Sequence, residues 1–192
     1  MRDEEYAARW KRDRPHVPMP LIDGQISSIS LEQVYDEDIW SVRRHDELYQ
    51  DTSNLCGGYV VPPFQRPLVW TEAQSRAFVE SAWLGFHLGT IVVNQANDTL
   101  DEGGRFPRCD KWLIDGQQRL TAISRYVADD FAIFVGTEHE HRWSDLKVNE
   151  QRRFGHIQIG ISRLRTDDEE RLKLLYNLMA YGGTAHTEDQ RA

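Results

Sequence analysis

The chain has 192 residues, 40% of them hydrophobic, with a formal net charge of −8 at pH 7. That size and apolar content suit one domain with a substantial core, and no apolar run approaches the ~20 residues needed to span a bilayer. The charged start Met1-Arg2-Asp3-Glu4-Glu5 lacks the apolar stretch of a signal peptide, so the expected location is the cytoplasm, with no membrane partner. The acidic balance argues against indiscriminate nucleic-acid binding through phosphate neutralisation and leaves room only for a local basic face.

In chain order, residues 1–25 mix charge with Pro15, Pro18 and Pro20 and are expected to form a flexible segment, followed by a folded domain over 26–185 and a tail over 186–192. Leu31-Glu32-Gln33-Val34-Tyr35 has amphipathic helical spacing, and a polar stretch then runs to Asn54. Tyr59-Val60-Val61 reads as a short strand closed by Pro62-Pro63. Thr71-Glu72-Ala73-Gln74 fits a capping box that opens a helix to about Leu84, with Ala73, Ala77, Phe78, Ser81 and Ala82 as its packing face and Gly85 as its stop. Thr90 to Asn94 is a strand, and Ala96 to Cys109 a polar loop.

An apolar run, Trp112-Leu113-Ile114, precedes a glycine turn and a helix marked by Leu120, Ile123 and Val127. Phe131 to Val135 is predicted as a strand, Ser144 to Phe154 as a helix, and Ile157 to Ile161 as a half-buried strand of period two. A second capping box, Thr166-Asp167-Asp168-Glu169, introduces a helix with Leu172, Leu175, Leu178 and Met179 on one face and Gly182-Gly183 at its end. Strands and helices interleave, which predicts a single mixed α+β domain with a small sheet flanked by helices. Cys56 and Cys109 lack metal spacing and are expected to be free thiols. Leu21-Ile22-Asp23-Gly24-Gln25 repeats the letters of Leu113 to Gln117 but lacks the Gln-Arg-Leu that follows there, and is read as coincidence.

The chemistry concentrates between Asp115 and Arg119. A helix start offers unpaired N–H groups and the positive end of the helix dipole, so it welcomes anions. Arg119 there suits a phosphate clamp, Gln117 and Gln118 suit a base or a positioned water, and Asp115 suits a metal ion or a ribose hydroxyl. An ordinary capped helix with surface polar residues explains the spacing equally well. Gln65 and Arg66 project from a proline-stiffened base toward the same chemistry, unless Arg66 pairs with Glu72. Trp70 reads as core packing. His139-Glu140-His141 reads as a solvated hairpin tip rather than a chelate. Arg152, Arg153, Arg163 and Arg165 read as solvated charges, with a nucleic-acid face as the alternative. No P-loop, Rossmann glycine triplet, His-Glu-x-x-His or nucleophile elbow occurs.

The run Asp115-Gly116-Gln117-Gln118-Arg119-Leu120-Thr121 resembles the signature of the GmrSD-type restriction endonuclease N-terminal domain, a branch of the ParB/sulfiredoxin-like superfamily. The stretch from Tyr59 through Pro62, Phe64, Gln65, Arg66 and Trp70, with the later Gly89-Thr90-Ile91-Val92-Val93, resembles that family's second block. Leu175 to Thr184 resembles a third, with Ala180 where the family pattern has Asn. The resemblance implies a ParB-like fold that binds a nucleoside triphosphate with Mg²⁺, in a setting of DNA restriction or phage–host conflict. It implies nucleotide contacts from Gln65, Arg66, Gly116, Arg119, Gly182, Gly183 and Thr184, catalytic roles for Asp115, Gln117, Gln118 and Arg119, and metal binding by Asp115, with His186 nearby. Ala180 removes an amide, which bears on hydrolysis more than on binding. Relatives often carry a His-rich nuclease domain for which this chain leaves no room, so a separate nuclease or restriction subunit, DNA and self-association are the expected partners. Three readings stay open at this point: a nucleotide-binding domain with or without hydrolysis, a non-catalytic DNA- or protein-binding module, and a nuclease acting through the same pocket.

Overall fold

The computed structural model describes residues 21–36, 49, 54–96, 100 and 103–181. The expectations for residues 1–20, for most of the polar stretch before Asn54 and for the Gly182-Gly183 stop lie outside the described residues. In chain order the elements are β1 (Gly24–Ser30), α1 (Leu31–Tyr35), β2 (Leu55–Cys56), β3 (Tyr59–Val60), α2 (Glu72–Trp83), β4 (Thr90–Asn94), β5 (Leu113–Asp115), α3 (Gln117–Val127), α4 (Val148–Gly155), β6 (Gln158–Leu164) and α5 (Glu169–Tyr181), with a 3₁₀ turn at Trp143–Asp145. A four-stranded sheet has the order β1-β6-β4-β5. Its central pair β4/β6 is parallel and the two outer pairings are antiparallel, while β2 and β3 form a separate two-stranded hairpin. The architecture is mixed α+β, with helices on both faces of the sheet.

Alternation along the central strands sends neighbouring side chains to opposite cores. Ile91, Val93, Leu113, Ile159 and Ile161 face one side, where Leu31, Val34, Val79, Ala82, Leu120, Ile123, Tyr126 and Phe154 cover them from α1 to α4. Val92, Ile114 and Leu164 face the other side, against Val60, Trp112, Cys109 and, from α5, Leu172 and Tyr176. A parallel pair buried on both faces explains why β4 reads as a continuous apolar run rather than an alternating one.

Local signals set several boundaries. Thr71 caps α2 in a reciprocal box with Gln74, and α2 ends where the Phe86 N–H reaches the Ser81 carbonyl and Gly85, at φ 79°, bonds back to Ala82. Ser30 and Gln33 form the same box at α1. The strand β1 begins at Gly24 and was not among the predicted elements; its polar Gly-Gln-Ile-Ser-Ser run is exposed on both faces and carries no alternation to read.

Other expectations are corrected. The buried face of α2 is Ser75, Val79 and Ala82, with Phe78 half-buried, and Ala73 and Ala77 face solvent. Phe131 to Val135 is not a strand. Positive φ at Asp129 and Phe134 turns the chain, so Ile133 alone bridges to His141. The predicted helix over 144–154 is split, because the 3₁₀ turn ends at Leu146 in extended backbone and Lys147 restarts the chain as the N-cap of α4. The Thr166 box does not cap α5; Asp168 accepts from the Arg171 N–H at 3.1 Å instead. Leu178 and Met179 are exposed, since only the first half of α5 packs on the sheet through Leu172 and Tyr176.

Asn94, fully buried, closes this architecture. Its amide donates to the carbonyls of Cys109 (2.8 Å) and Thr166 (2.9 Å) and accepts from the Thr166 N–H (3.3 Å), tying β4 to the loop before β5 and to the turn that launches α5. Neither thiol is bridged, and burial pushes both upward in pKa, Cys109 to about 11. No described helix is long and apolar enough to cross a membrane. Asn94→Ala removes three hydrogen bonds, leaving the Thr166 N–H without its partner and the Cys109 and Thr166 carbonyls with only the Trp112 N–H and the Cys109 thiol, and should lower stability by about 2–3 kcal/mol, read as a lower urea midpoint with unchanged slope.

Candidate functional site

Asp115 ends β5 at the rim of the sheet, and the chain reverses at Gly116 with φ 114°. A Cβ at Gly116 would lie 2.5 Å from the Ile91 Cγ2, so both the backbone angle and the contact require glycine. The turn leads directly into α3, whose N-terminus has no side-chain cap. Its first N–H groups are therefore left to water or to a ligand. They open into a cleft of about 280 Å³ that also receives Gln65, Arg66, Trp70 and, from α5, Tyr176, Met179 and Ala180.

The polar side chains of the Asp115–Arg119 run divide by what holds them. Arg119 folds back one turn, pairing with Asp115 at 2.5 Å and donating to the Leu88 carbonyl at 3.3 Å. Its side chain is only 17% exposed, against 47% for Asp115. A Cβ at Gly89 would meet the Arg119 guanidinium at 2.6 Å, so the glycine ahead of β4 makes the seat for this arginine. The Gln118 Oε1 accepts two backbone N–H groups, from Val69 at 3.2 Å and Trp70 at 3.0 Å. Gln117 lends its carbonyl to the Cys56 thiol at 3.6 Å and contributes to the cleft lining. Burial raises the Cys56 pKa, and the hydrogen bond to Thr121 offsets part of that rise.

The opposite wall is the irregular segment after β3. Gln65 donates through Nε2 to the Leu113 carbonyl, and the Arg66 N–H donates to the Tyr176 hydroxyl at 3.1 Å. Phe64 stands edge-on to Trp112 and packs on Tyr176, with centroids 5.5 and 5.4 Å apart. The side chain expected to compete for Arg66 is taken, since Glu72 pairs with Arg76 at 2.7 Å. Among the described residues, no ion pair or hydrogen bond engages the exposed Arg66 guanidinium. The lining thus carries two guanidiniums against one carboxylate, a locally basic spot in an acidic chain.

Gln65, Arg66, Asp115, Gly116, Gln117, Gln118 and Arg119 accordingly share one cleft. Gly182, Gly183, Thr184 and His186 lie outside the described residues. Trp70, read from sequence as core, packs on Phe78 at 5.6 Å and also lines the cleft. Ile114, Tyr176 and Met179 were missed as lining residues, and the signal available was their place beside the two motifs that meet here.

The His139-Glu140-His141 turn is elsewhere. The His141 ring contacts the Tyr126 hydroxyl at 3.1 Å and the His139 carbonyl at 2.7 Å, while Glu140 accepts from the Gly136 N–H. Among the described residues, no three His, Cys, Asp or Glu side chains are grouped to hold a metal ion. Arg153 lies over the Trp83 ring and Arg163 donates to Ser27, so these two serve local contacts.

A small α+β domain thus presents an uncapped helix start and a solvent-facing arginine in one cleft, groups whose charge is complementary to an anion. The family model described as GmrSD restriction endonuclease, N-terminal domain, matches residues 46–186, well over half of the chain. The chain belongs to that family, which associates it with restriction. Comparison with curated proteins and with solved structures returns no match.

Gly116→Ala should cost about 1–3 kcal/mol from the positive φ alone, with the Ile91 clash in addition. Thermal unfolding of that variant, set beside an exposed-glycine control such as Gly104→Ala, checks it. With both thiols held protonated by burial, Cys56 and Cys109 should react with a disulfide reagent at pH 8 far more slowly in the folded protein than in urea.

Proposed function

We propose that the cleft binds a nucleoside triphosphate with Mg²⁺, and that in a restriction setting the liganded domain acts on a nuclease-bearing partner and its DNA. The observation that carries this reading is the α3 N-terminus, which lacks a side-chain cap and shares the cleft with Arg66. Polyphosphate oxygens fit there because several backbone N–H groups and the helix dipole converge on one place. Arg66, solvent-facing and free of a carboxylate partner among the described residues, supplies the counter-charge. Trp70, Tyr176 and Met179 offer apolar surface to the remainder of the nucleotide.

Mg²⁺ binds through one or two carboxylates, water and substrate phosphates rather than in an all-protein cage. Asp115 is the single acid among the described lining residues and its side chain is half-exposed, so it would be the residue to hold such an ion. When bound, the ion neutralises phosphate charge. Arg119 stays on Asp115 and Leu88, keeps that carboxylate oriented, and lends its charge through the pair. Gln117, also in the lining, would be the amide available to orient a water.

Binding is favoured over rapid hydrolysis by three occupied or missing groups. Gln118 is spent on backbone, Arg119 on its ion pair, and Ala180 lines the cleft where the family pattern has an amide. The second reading, a binding module that regulates a partner, draws on the same three facts.

Titration calorimetry of the full chain with each nucleoside triphosphate and Mg²⁺ is expected to give heat and a raised melting temperature. Arg66→Ala should weaken affinity about 10- to 100-fold, the loss of one charged hydrogen bond worth ~1.5–3 kcal/mol. Phosphate release should be slow in the natural chain and faster in Ala180→Asn. Absence of binding by all four nucleotides would overturn the proposal.

A further inference from the structure

We infer that Gln118 is a positioning residue, not a ligand contact, and that it holds the segment Gln65–Trp70 as a strap across the mouth of the cleft so that Arg66 stands over the α3 N-terminus. The inference rests on the polyphosphate reading for what the strap serves, but the strap itself is carried by independent geometry.

Residues 61–70 form no strand or helix, and a chain of that kind must satisfy its backbone donors by other means. Here the means are side chains from the elements that build the cleft. The Arg66 N–H goes to the Tyr176 hydroxyl of α5, and the Val69 and Trp70 N–H groups go together to the Gln118 Oε1 on the first turn of α3. The Gln65 amide adds a further fastening, on the Leu113 carbonyl of β5. Pro62, Pro63 and Pro67 restrict the backbone between these points, and the Gln65 N–H closes a turn on the Pro62 carbonyl at 3.1 Å. Packing anchors the two ends, Phe64 on Trp112 and Tyr176 and Trp70 on Phe78, while Arg66, Pro67, Leu68 and Val69 between them are exposed and are held by the hydrogen bonds.

Gln118 has a special place among them. One acceptor oxygen receives two consecutive N–H groups, a job its length and its station at the helix start make possible and which leaves that oxygen unavailable to a water or a base. The two glutamines of the motif therefore differ: both line the cleft, but only Gln118 is fastened to the strap.

The test is a double-mutant cycle on the full chain, with inorganic triphosphate and Mg²⁺ as the probe. Gln118→Met keeps length and helix propensity but removes the oxygen. It should weaken binding about as much as Arg66→Ala, on the order of tenfold or more, and the double variant should be no weaker than Arg66→Ala alone, because both changes remove the same guanidinium from the site. Additive losses would mean that Gln118 meets the ligand directly, and an unchanged affinity in Gln118→Met would mean that the strap does not place Arg66; either overturns the inference.

Hydrogen exchange of the unliganded protein separates this from the function proposed above. The Val69 and Trp70 amides should be protected in the natural chain, lose protection in Gln118→Met while the β4 amides keep theirs, and regain it in Gln118→Glu, whose carboxylate accepts the same pair. If the natural chain binds no triphosphate, the functional reading fails and exchange alone decides the strap: protection that ignores residue 118 would end it.

Discussion

The contact between Gly116 and Ile91 is the constraint on which the site depends. Because β4 and β5 run antiparallel, the end of β5 and the start of β4 meet at the same edge of the sheet. A side chain at residue 116 has no room above Ile91, so the chain passes that edge as bare backbone and α3 begins one residue after the strand stops. Starting so close, the helix directs its first N–H groups outward from the sheet rim and brings Arg119, one turn on, back across Asp115 and onto the Leu88 carbonyl. Gly89 makes the matching allowance on the neighbouring strand. Two glycines with positive φ, at the adjoining ends of two paired strands, thus set both the cleft floor and the seat of its inner arginine.

The polar residues of the motif are better understood by what they hold than by what they expose. An Asp–Arg pair with a half-exposed carboxylate adds little stability by itself. Its value is orientation, since a guanidinium fixed at one end by a carbonyl and at the other by a carboxylate cannot wander. Gln118 does the equivalent for the facing segment. What remains for a ligand is the uncapped helix start, Gln117, the outer oxygen of Asp115 and Arg66. The two guanidiniums of the cleft therefore differ: Arg119 is held between a carboxylate and a carbonyl, whereas that of Arg66 stands exposed.

Much of this was legible in residue order, and the exceptions have physical causes. Capping boxes at Thr71 and apolar periodicity in α3 and β6 are local signals, and they located those elements well. The Asp115–Arg119 run and the Gln65-Arg66 pair could be named from sequence because the motifs themselves are distinctive, though their meeting in one cleft needed the fold. The 131–135 segment misled because apolar content was taken as extended backbone, whereas left-handed residues at 129 and 134 bend it; positive φ at a non-glycine residue leaves little trace in composition. Polar β1 gave no pattern at all. The tasks of Gln117 and Gln118 could not be separated either, since identical side chains on successive helical positions diverge only when their neighbours are known.

The position of α5 makes the fold and the chemistry separable. It lies on the sheet face opposite the other helices, and among its described residues Leu172 and Tyr176, with half-buried Leu175, anchor it there. Beyond Tyr176 the helix runs past the core, and its next turn, with Met179 and Ala180, forms a wall of the cleft without being packed into the protein. A residue in that turn contributes little to stability, so an amide there can be exchanged for a methyl at little cost to folding. The first turn of α3 has no such freedom, because the residues that would act on the ligand also hold Asp115, Leu88 and the strap in place. The two sides of the cleft are therefore unequal: a change in the first turn of α3 releases contacts that hold the cleft together, whereas a change in the last turn of α5 alters only a wall.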